Sequence, residues 1–476
     1  MTSVLWLRRD LRLRDHPALV AAADDGPVVP LFVLDPALLR PAGAARVAFL
    51  YRTLRDLDAA LGRYGTRLVV RHGDPAEVVP ALARQVGAAA VHVSADFGPY
   101  GRRRDDAVAT ALGDVPLVAT GSPYAVDPGL VRTGSGGAFR VFTPYYRAWL
   151  AHGLPSPAPS VAGRVEWLTG PHTDDVPPDP RAADGLDLPP AGEEAARRRW
   201  RAFHADHLSG YADDRDRPDL DRTTHLSPYL KWGCIHPRTL LADLTSHRPG
   251  HETLRRELAW REFYADVLHE WPDSAREYWQ PDLAALPWGG GDDAGLAAWR
   301  DGRTGYPIVD AGMRQLLAEG WVPNRVRMIV ASFLVKDLHV DWRHGARHFM
   351  RHLVDGDLAS NQHGWQWVAG SGTDAAPFFR IFNPTTQARR FDPDGDYVRR
   401  WVPELRSVAG GAVHEPWRLD APPPEYPAPI VDHAVERRVA LADYEQARTS
   451  PREGPVAAAE PVDAGQKRSV TAVRSG

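Results

Sequence analysis

The first 120 residues alternate short apolar runs with segments of helical periodicity. The apolar runs occupy residues 4–7, 28–34, 67–71, 89–93 and 116–120, and turn residues follow them. Apolar residues recur at helical spacing between these runs, for example at 47–61 and 76–86. Strands that alternate with helices predict a parallel, doubly wound sheet. We therefore expect an α/β fold in this part of the chain.

The remainder of the chain has no strand alternation. Residues 152–191 are rich in Pro, Gly, Asp and Ala, and the prolines exclude long helices there. Helical periodicity then recurs at 195–208, 253–269, 312–319, 325–338 and 343–354. We predict an α/β domain over residues 1–150, a Pro/Gly-rich linker over 151–192 and an all-α domain over 193–447. Residues 448–476 are predicted to be a disordered tail, because Ala, Pro, Gly and charged residues dominate them.

Composition and charge narrow the class of protein. Hydrophobic residues make up 43% of the chain and charged residues 25%, which is ordinary for a globular protein. No apolar run reaches the roughly 18 residues that cross a bilayer, and Arg8, Arg9 and Asp10 interrupt the N-terminal apolar run. The single cysteine, Cys234, excludes a disulfide scaffold. We expect a cytoplasmic protein with no membrane partner. With a net charge of −4, any nucleic-acid binding would need a local basic patch.

The densest cluster of chemically useful residues lies at 257–264. Glu257, Trp260, Arg261 and Tyr264 follow the spacing i, i+3, i+4, i+7 and share one face of a helix. An acid, an indole, a guanidinium and a phenol on one face are typical of a cavity wall. Such a wall stacks a planar group and hydrogen-bonds its edge. The alternative is an interface helix with a salt bridge.

Three further groups are candidates. Asn324 and Met328 share a helix face, with Arg325 turned away from it. The segment 355–361 places two acids around Gly356, which indicates a close approach of backbone to a ligand. No His or carboxylate partners stand there at metal-ligand spacing, so we expect no metal. The hydroxyls and backbone N–H groups of 223–227 would suit a phosphate, although the same residues make an ordinary helix N-cap.

Five motifs carry a family resemblance. They are WREFY at 260–264, TGYPIVDAGMRQL from 304, ASFLVKDL at 331–338, LVDGDLASN at 353–361 and FRIFNPTTQ at 379–387. The sequence resembles the photolyase/cryptochrome family from about residue 4 to residue 441. Within that family it is similar to microbial class I cyclobutane pyrimidine dimer photolyases of the deazaflavin-antenna type.

The resemblance implies a fold and an activity. The fold is an α/β domain, a linker and a helical domain that holds FAD. The activity is light-driven repair of cyclobutane pyrimidine dimers in DNA, by electron transfer from reduced FAD to a dimer flipped out of the duplex. A monomer is expected. A second chromophore is implied as an antenna: 8-hydroxy-5-deazaflavin, or alternatively methenyltetrahydrofolate.

The resemblance also assigns residues. Cofactor-binding positions fall on Tyr211, Thr223, Thr224, His225, Leu226, Ser227, Arg261, Arg327, Asp355, Gly356, Asp357 and Asn361. Dimer- and DNA-binding positions fall on Arg215, Glu257, Trp260, Arg261, Tyr264, Asn324, Arg325, Met328, Trp367 and Gln387. Trp288, Trp342 and Trp365 match an electron-carrying chain of tryptophans, and these three are expected to be catalytic together with Glu257 and Asn361. The antenna would be held by Arg46, Asp96 and Lys231.

Other hypotheses for the function have less support in the sequence. A cryptochrome-type blue-light receptor is the main alternative, but Glu257 and Met328 occur together and the tail is short. A photolyase for (6-4) photoproducts would carry a histidine near Met328, and residues 324–328 have none. An adenylyl-transferring or electron-transferring flavoprotein would need an HxGH or SGGxDS loop. Residues 135–137 begin the latter without completing it. A pure DNA-binding module is the last alternative.

Overall fold

The computed structural model describes residues 1–289, 294–373 and 380–449. Its N-terminal part contains one five-stranded sheet in which every pair of neighbouring strands is parallel, in the order β3-β2-β1-β4-β5. The strands are β1 Thr2–Leu7, β2 Val28–Leu34, β3 Val69–His72, β4 Ala88–Val93 and β5 Leu117–Ala119. The helices of this part are α1 Pro17–Asp25, α2 Pro36–Leu39, α3 Ala44–Gly62, α4 Pro75–Val86, α5 Pro99–Leu112 and α6 Phe142–His152. The predicted α/β class is confirmed.

Both faces of the sheet are covered, which explains its continuous apolar strands. Leu5 and Leu7 of β1 pack in a cluster with α1 and α3. Val4 and Trp6 point to the opposite face and pack with α4 and α5. Strand β3 starts at residue 69 rather than at the predicted 67, and the backbone N–H of Leu68 donates to Asp58 Oδ1 (2.9 Å).

Residues 153–192 follow the sheet as an irregular segment. This segment hydrogen-bonds to the sheet: Leu168 N donates to Val28 O (2.9 Å) and Asp174 N donates to Val70 O (2.9 Å). The predicted linker is thus a strap along β2 and β3. The boundaries that the sequence predicts for the domains stay predictions.

The C-terminal part is helical, as expected. Its helices are α7 Glu193–Asp206, α8 Tyr211–Asp214, α9 Ser227–Trp232, α10 Pro237–Asp243, α11 Pro249–Glu270, α12 Ala294–Asp301, α13 Pro307–Glu319, α14 Asn324–Lys336, α15 Trp342–His352, α16 Leu358–Ala369, α17 Pro384–Phe391, α18 Asp396–Trp401 and α19 His433–Thr449. Short 3₁₀ helices occur at Arg181–Ala183, Leu208–Gly210, Pro272–Ala275, Pro281–Ala285, Pro403–Leu405, Gly410–His414 and Pro416–Arg418. Over the described residues after 192, the only β pairing is the isolated bridge between Gly289 and Val340.

Two apolar clusters organise the helices. One cluster is built around α13, α14, α15 and α16. The other joins α3 and α6 of the N-terminal part to α7, α9, α10 and α11. The two parts of the chain therefore share a hydrophobic interface. In the stretches that the structure describes, no helix combines the length and the apolar character that a membrane span requires. The predicted tail beyond residue 449 lies outside the described residues.

Candidate functional site

A buried carboxylate, Asp355, is the centre of the first cluster. Its Oδ2 accepts hydrogen bonds from Ser227 Oγ (2.6 Å) and Arg327 Nη2 (2.7 Å). Trp321 Nε1 donates to the same serine hydroxyl (3.2 Å). The Asp355 side chain is 3% exposed, yet its Oδ1 is buried without a partner. A buried acceptor with no donor is costly, so this atom fits the hydroxyl of a bound ligand.

The segment 223–227 forms a tight turn beside that cluster. His225 has a left-handed backbone (φ 49°), and its ring stacks on Trp321 with centroids 4.0 Å apart. Thr224 Oγ1 accepts from Leu226 N (3.3 Å) within the turn, and among the described residues no side chain caps the N-terminus of α9. Thr223 Oγ1, however, is buried and unpartnered. The turn is therefore held by its neighbours while one hydroxyl is left for a ligand.

Asp357 caps the N-terminus of α16 and lies where the two parts of the chain meet. Its Oδ2 accepts from Arg9 Nη2 (2.7 Å), and Lys231 Nζ is 4.0 Å away. Burial alone would raise the pKa of Asp357, but the charges of Arg9 and Lys231 hold it well below its ordinary value. Burial and the charge of Arg9 lower the pKa of Lys231 to about 7. Sequence reasoning missed Arg9, although its position directly after β1 marks the edge of a parallel sheet where ligands bind.

The three residues expected to hold an antenna lie in the same charge cluster. Asp96 and Arg46 both act on the pKa of Lys231, the first raising it and the second lowering it. Asp96 accepts from Arg104 Nη2 (3.2 Å) and from Gly98 N (3.1 Å). The Arg46 guanidinium donates to the carbonyls of Met350 (2.8 Å) and Leu353 (3.3 Å), where α15 ends. Arg46 therefore acts as a helix cap in this structure.

Gly356 lies close to a guanidinium. A Cβ at residue 356 would lie 2.2 Å from Arg46 Nη1, so a larger residue would not fit here without a shift of Arg46. The approach of a ligand to this backbone stays a prediction. Nearby, Asn361 is 9% exposed, and its Nδ2 donates to Ala346 O (3.1 Å) and Gln362 Oε1 (2.8 Å).

Helix α11 presents the predicted four-residue face. Glu257, Trp260, Arg261 and Tyr264 are all half-buried, and a cavity beside them stays a prediction. Glu257 Oε1 accepts from Arg215 Nη1. Burial and the charge of Glu257 raise the pKa of Tyr211.

Tyr264 and Arg261, two further members of that face, contact different neighbours. The Tyr264 ring stacks on His363 of α16 with centroids 5.5 Å apart. The Arg261 guanidinium donates to Pro123 O (3.0 Å) and Leu230 O (3.3 Å). The structure therefore places Arg261 in the interface between the two parts of the chain and does not bring it to Glu257.

Helix α14 carries the second group of residues that the sequence predicts to bind the dimer and DNA. Asn324 Nδ2 lies 3.7 Å from Met328 Sδ, so these two share a face as predicted. Arg325 points elsewhere: its Nη2 donates to Asp216 Oδ2 (2.6 Å), and its Cζ lies 4.4 Å from the Phe391 ring centroid. The half-buried Trp367 is on α16, with the Arg380 guanidinium 5.2 Å from its ring. On α17, Gln387 Oε1 is buried without a partner.

The three tryptophans of the expected chain differ in burial. Trp365 is 3% exposed, Trp342 is fully buried and Trp288 is partly buried. Gly345 of α15 packs so closely on Trp365 that a Cβ there would lie 2.1 Å from its ring. Tyr278 lies between the outer two, 6.0 Å from the Trp342 centroid and 6.1 Å from the Trp288 centroid. Sequence reasoning missed Tyr278, because it belongs to none of the recognised motifs.

The described part of the chain contains no group of three or more His, Cys, Asp or Glu residues arranged to hold a metal ion. Its distinctive features are the unpartnered polar atoms at Asp355 and Thr223, the aromatic face of α11 and the charge cluster at Asp357.

Comparison with known proteins identifies the family. Residues 3–162 match the DNA photolyase domain, and residues 253–446 match the FAD binding domain of DNA photolyase. Proteins named deoxyribodipyrimidine photo-lyase from Streptomyces griseus and Halobacterium salinarum are 43% and 41% identical, each over 94% of this chain and 99% of its own. A crystal structure described as a bacterial class III photolyase from Agrobacterium tumefaciens aligns with a TM-score of 0.87 at 37% identity, over 94% of this chain and 98% of that one. The chain therefore belongs to the DNA photolyase family of FAD-binding enzymes.

Proposed function

We propose that this enzyme uses light to split cyclobutane pyrimidine dimers in DNA, with reduced FAD as the electron donor. One observation carries the proposal. Consecutive residues of α14 serve two sites: Arg327 holds Asp355 of the cofactor cluster, while Met328 joins Asn324 in the expected dimer pocket. A cofactor and a flipped-out dimer would therefore lie on either side of one helix turn, close enough for direct electron transfer. Membership of class I stays a prediction.

The residues present fit FAD. Asp355 Oδ1 is a buried acceptor without a donor, and Thr223 Oγ1 is a buried hydroxyl without a partner. A ligand hydroxyl would donate to the first, and a ligand phosphate would accept from the second. Ser227, Arg327 and the turn at His225 would hold the cofactor, together with Asn361 and Asp357. When bound in its reduced form and excited by light, FAD supplies the electron that opens the cyclobutane ring.

The pocket residues would recognise the dimer by stacking and by hydrogen bonds to its edge. Trp260 and Trp367 offer half-exposed indoles for the two thymines. Glu257 and Asn324 carry the polar groups that would bind the carbonyl and N–H edges, and the Met328 thioether would fill the remaining space. A damaged pair is cheaper to extrude than an intact one, which favours dimers over normal bases.

The arginines next to the pocket would hold the DNA strand. Arg215 and Arg325 lie beside it, and both are neutralised by acids in this structure, Arg215 by Glu257 and Arg325 by Asp216. Phosphates would compete with these carboxylates for the guanidinium groups, and Gln387 would add a neutral contact. Local arginines thus provide DNA affinity in a chain whose net charge is −4.

The tryptophans Trp288, Trp342 and Trp365 would return electrons from the surface to the cofactor site. Trp288 is the most exposed of the three, which supports its place at the surface end of the chain of tryptophans. Tyr278 would shorten the outer step, because its ring contacts both Trp288 and Trp342.

The charge cluster at the interface between the two parts is proposed to hold the antenna, 8-hydroxy-5-deazaflavin, with methenyltetrahydrofolate as the alternative. Support comes from its place after β1 and β4, where the strand order of the sheet reverses direction. Burial, with the nearby charges of Arg9 and Arg46, lowers the pKa of Lys231, and an anionic chromophore beside it would stabilise its charged form. Reconstitution tests this: added deazaflavin should bind tightly to the protein, and Lys231→Ala or Asp96→Ala should weaken that binding. Preference for the folate would overturn the assignment.

Selective binding in the dark tests the main proposal. The FAD-loaded protein should bind an oligonucleotide with one thymine dimer far more tightly than the undamaged strand, and Trp260→Ala should reduce only the first affinity. Equal affinity for both strands would contradict it.

A further inference from the structure

The indole of Trp260 has a partner on its other face. The ring of Phe142 lies parallel to it, with centroids 3.7 Å apart and an interplanar angle of 9°. Phe142 is 4% exposed and is the first residue of α6, which precedes the linker segment. Trp260 itself is half-buried on α11. A residue from the N-terminal part of the chain therefore covers one face of the indole.

Phe142 belongs to a longer column of planar groups. The Tyr146 ring stacks behind it with centroids 5.7 Å apart and an interplanar angle of 19°. The Arg256 guanidinium lies 5.3 Å from the Tyr146 centroid and 6.0 Å from that of Phe142. Tyr146 in turn stacks on Trp149, which is fully buried. Because the column is backed by a buried residue, Phe142 offers Trp260 a fixed plane.

This geometry constrains the indole in a particular way. The other aromatic neighbours of Trp260 meet it at an angle: Phe263 at 73° and Tyr264 at 44°. Only a parallel ring on one face fixes the plane of the indole and leaves the opposite face for a planar ligand. A base binds more tightly to an indole whose ring plane is already fixed, because ordering the side chain on binding would cost affinity.

We propose that Phe142 is a positioning residue for dimer recognition: it holds the Trp260 ring in the plane on which the flipped-out pyrimidines stack. This inference rests on the proposed function and adds to it a contribution from the N-terminal part of the chain. Phe142 does not touch the substrate and acts only through Trp260.

Two variants separate this role from ordinary core packing. Phe142→Leu removes the parallel ring, and Phe142→Tyr keeps it. Phe263→Leu is the matched control, because Phe263 is fully buried and meets Trp260 edge-on. Each leucine variant replaces a buried phenylalanine ring that contacts Trp260, so a general packing defect would affect both.

Binding of FAD-loaded protein to thymine-dimer DNA in the dark is the first measurement. We expect Phe142→Leu to weaken dimer binding about five- to tenfold. This loss of affinity is smaller than the loss expected when a whole base–aromatic stack is removed. Affinity for undamaged DNA should not change. Phe142→Tyr should restore dimer affinity, and Phe263→Leu should bind dimers as the wild type does. Added to Trp260→Ala, Phe142→Leu should cause little further loss, because it acts through that indole.

A second measurement needs no DNA. With 5-fluorotryptophan in the protein, the ¹⁹F resonance of Trp260 is assigned by its loss in Trp260→Phe. It should broaden or split in Phe142→Leu and stay single in Phe263→Leu. An unchanged resonance with unchanged dimer affinity in Phe142→Leu would overturn the inference, as would a fully additive loss in the double variant. If the wild type shows no preference for dimers, the proposed function fails, and the resonance alone decides whether Phe142 fixes the ring.

Discussion

Replacing Arg327 by methionine should destabilise the protein and weaken its hold on FAD. The guanidinium donates to Asp355 Oδ2 over 2.7 Å, and the Asp355 side chain is 3% exposed. Without Arg327, the buried carboxylate keeps only the Ser227 hydroxyl at 2.6 Å. Removing one member of a fully buried ion pair costs about 3–5 kcal/mol. The Arg327 side chain is 25% exposed, so water can screen the charge that remains, and we expect about 2–3 kcal/mol.

Urea unfolding of the FAD-free protein, followed by circular dichroism of its helices, measures this loss. The double variant Arg327→Met with Asp355→Asn should recover all but about 1 kcal/mol, because it removes the unpaired charge as well. Arg55→Met is the matched control. Arg55 pairs with Asp179 at the surface with 43% of its side chain exposed, and its loss should cost about 0–1 kcal/mol.

The same variants should differ in cofactor content. Arg327→Met should release FAD on gel filtration under conditions where the wild type and Arg55→Met retain it. If Arg327→Met has the urea midpoint of the wild type, or if the double variant is as unstable as the single one, the reasoning about a buried, paired carboxylate is wrong.

The other predictions concern three parts of the molecule. Trp365→Phe should block light-driven reduction of bound, oxidised FAD, so that its visible absorption spectrum stays constant under illumination. Chemically pre-reduced protein should still repair dimers. Reduction at the wild-type rate would show that Trp365 does not belong to the electron chain. Glu257→Ala should lower the repair yield per photon more than it lowers dimer binding, and Trp260→Ala should weaken binding by about 1–3 kcal/mol with a smaller effect on yield; equal binding losses with unchanged yields would contradict this division. In the folded protein the pKa of Lys231 falls from 10.5 to about 7, so between these values the unfolded chain binds the extra proton and the wild type gains stability as the pH rises. Lys231→Met should lack this gain in urea midpoints at neutral and alkaline pH, and an equal rise in the variant would refute the shifted pKa.

Local patterns in the sequence predicted local structure well. Strands β1 and β2 are buried on both faces, and such strands are continuous apolar runs that can be read directly. The residues that share one face of α11 could also be predicted, since helical spacing fixes which residues lie side by side. The fold class and the composition of one wall of the site follow from these short-range rules.

Contacts between distant residues could not be read in the same way. Arg9 pairs with Asp357 across 348 positions, and Phe142 stacks on Trp260 from a different part of the chain. Periodicity carries no information on which helix packs against which. The Arg46 guanidinium illustrates the consequence: its residue type suits an anionic ligand, but the carbonyls at the end of α15 bind it in the folded chain.

Light-dependent repair is the most direct test of the central claim. The protein, loaded with FAD and reduced under anaerobic conditions, is mixed with an oligonucleotide that carries one thymine dimer. The mixture is illuminated with near-ultraviolet or blue light, and the dimer-containing and repaired oligonucleotides are then separated by chromatography. We predict conversion to the undamaged strand in the light and none in the dark, with a Glu257→Ala variant converting fewer dimers per photon absorbed. An unchanged dimer in the light, with FAD and DNA both bound, would contradict the account and favour a photoreceptor without repair activity.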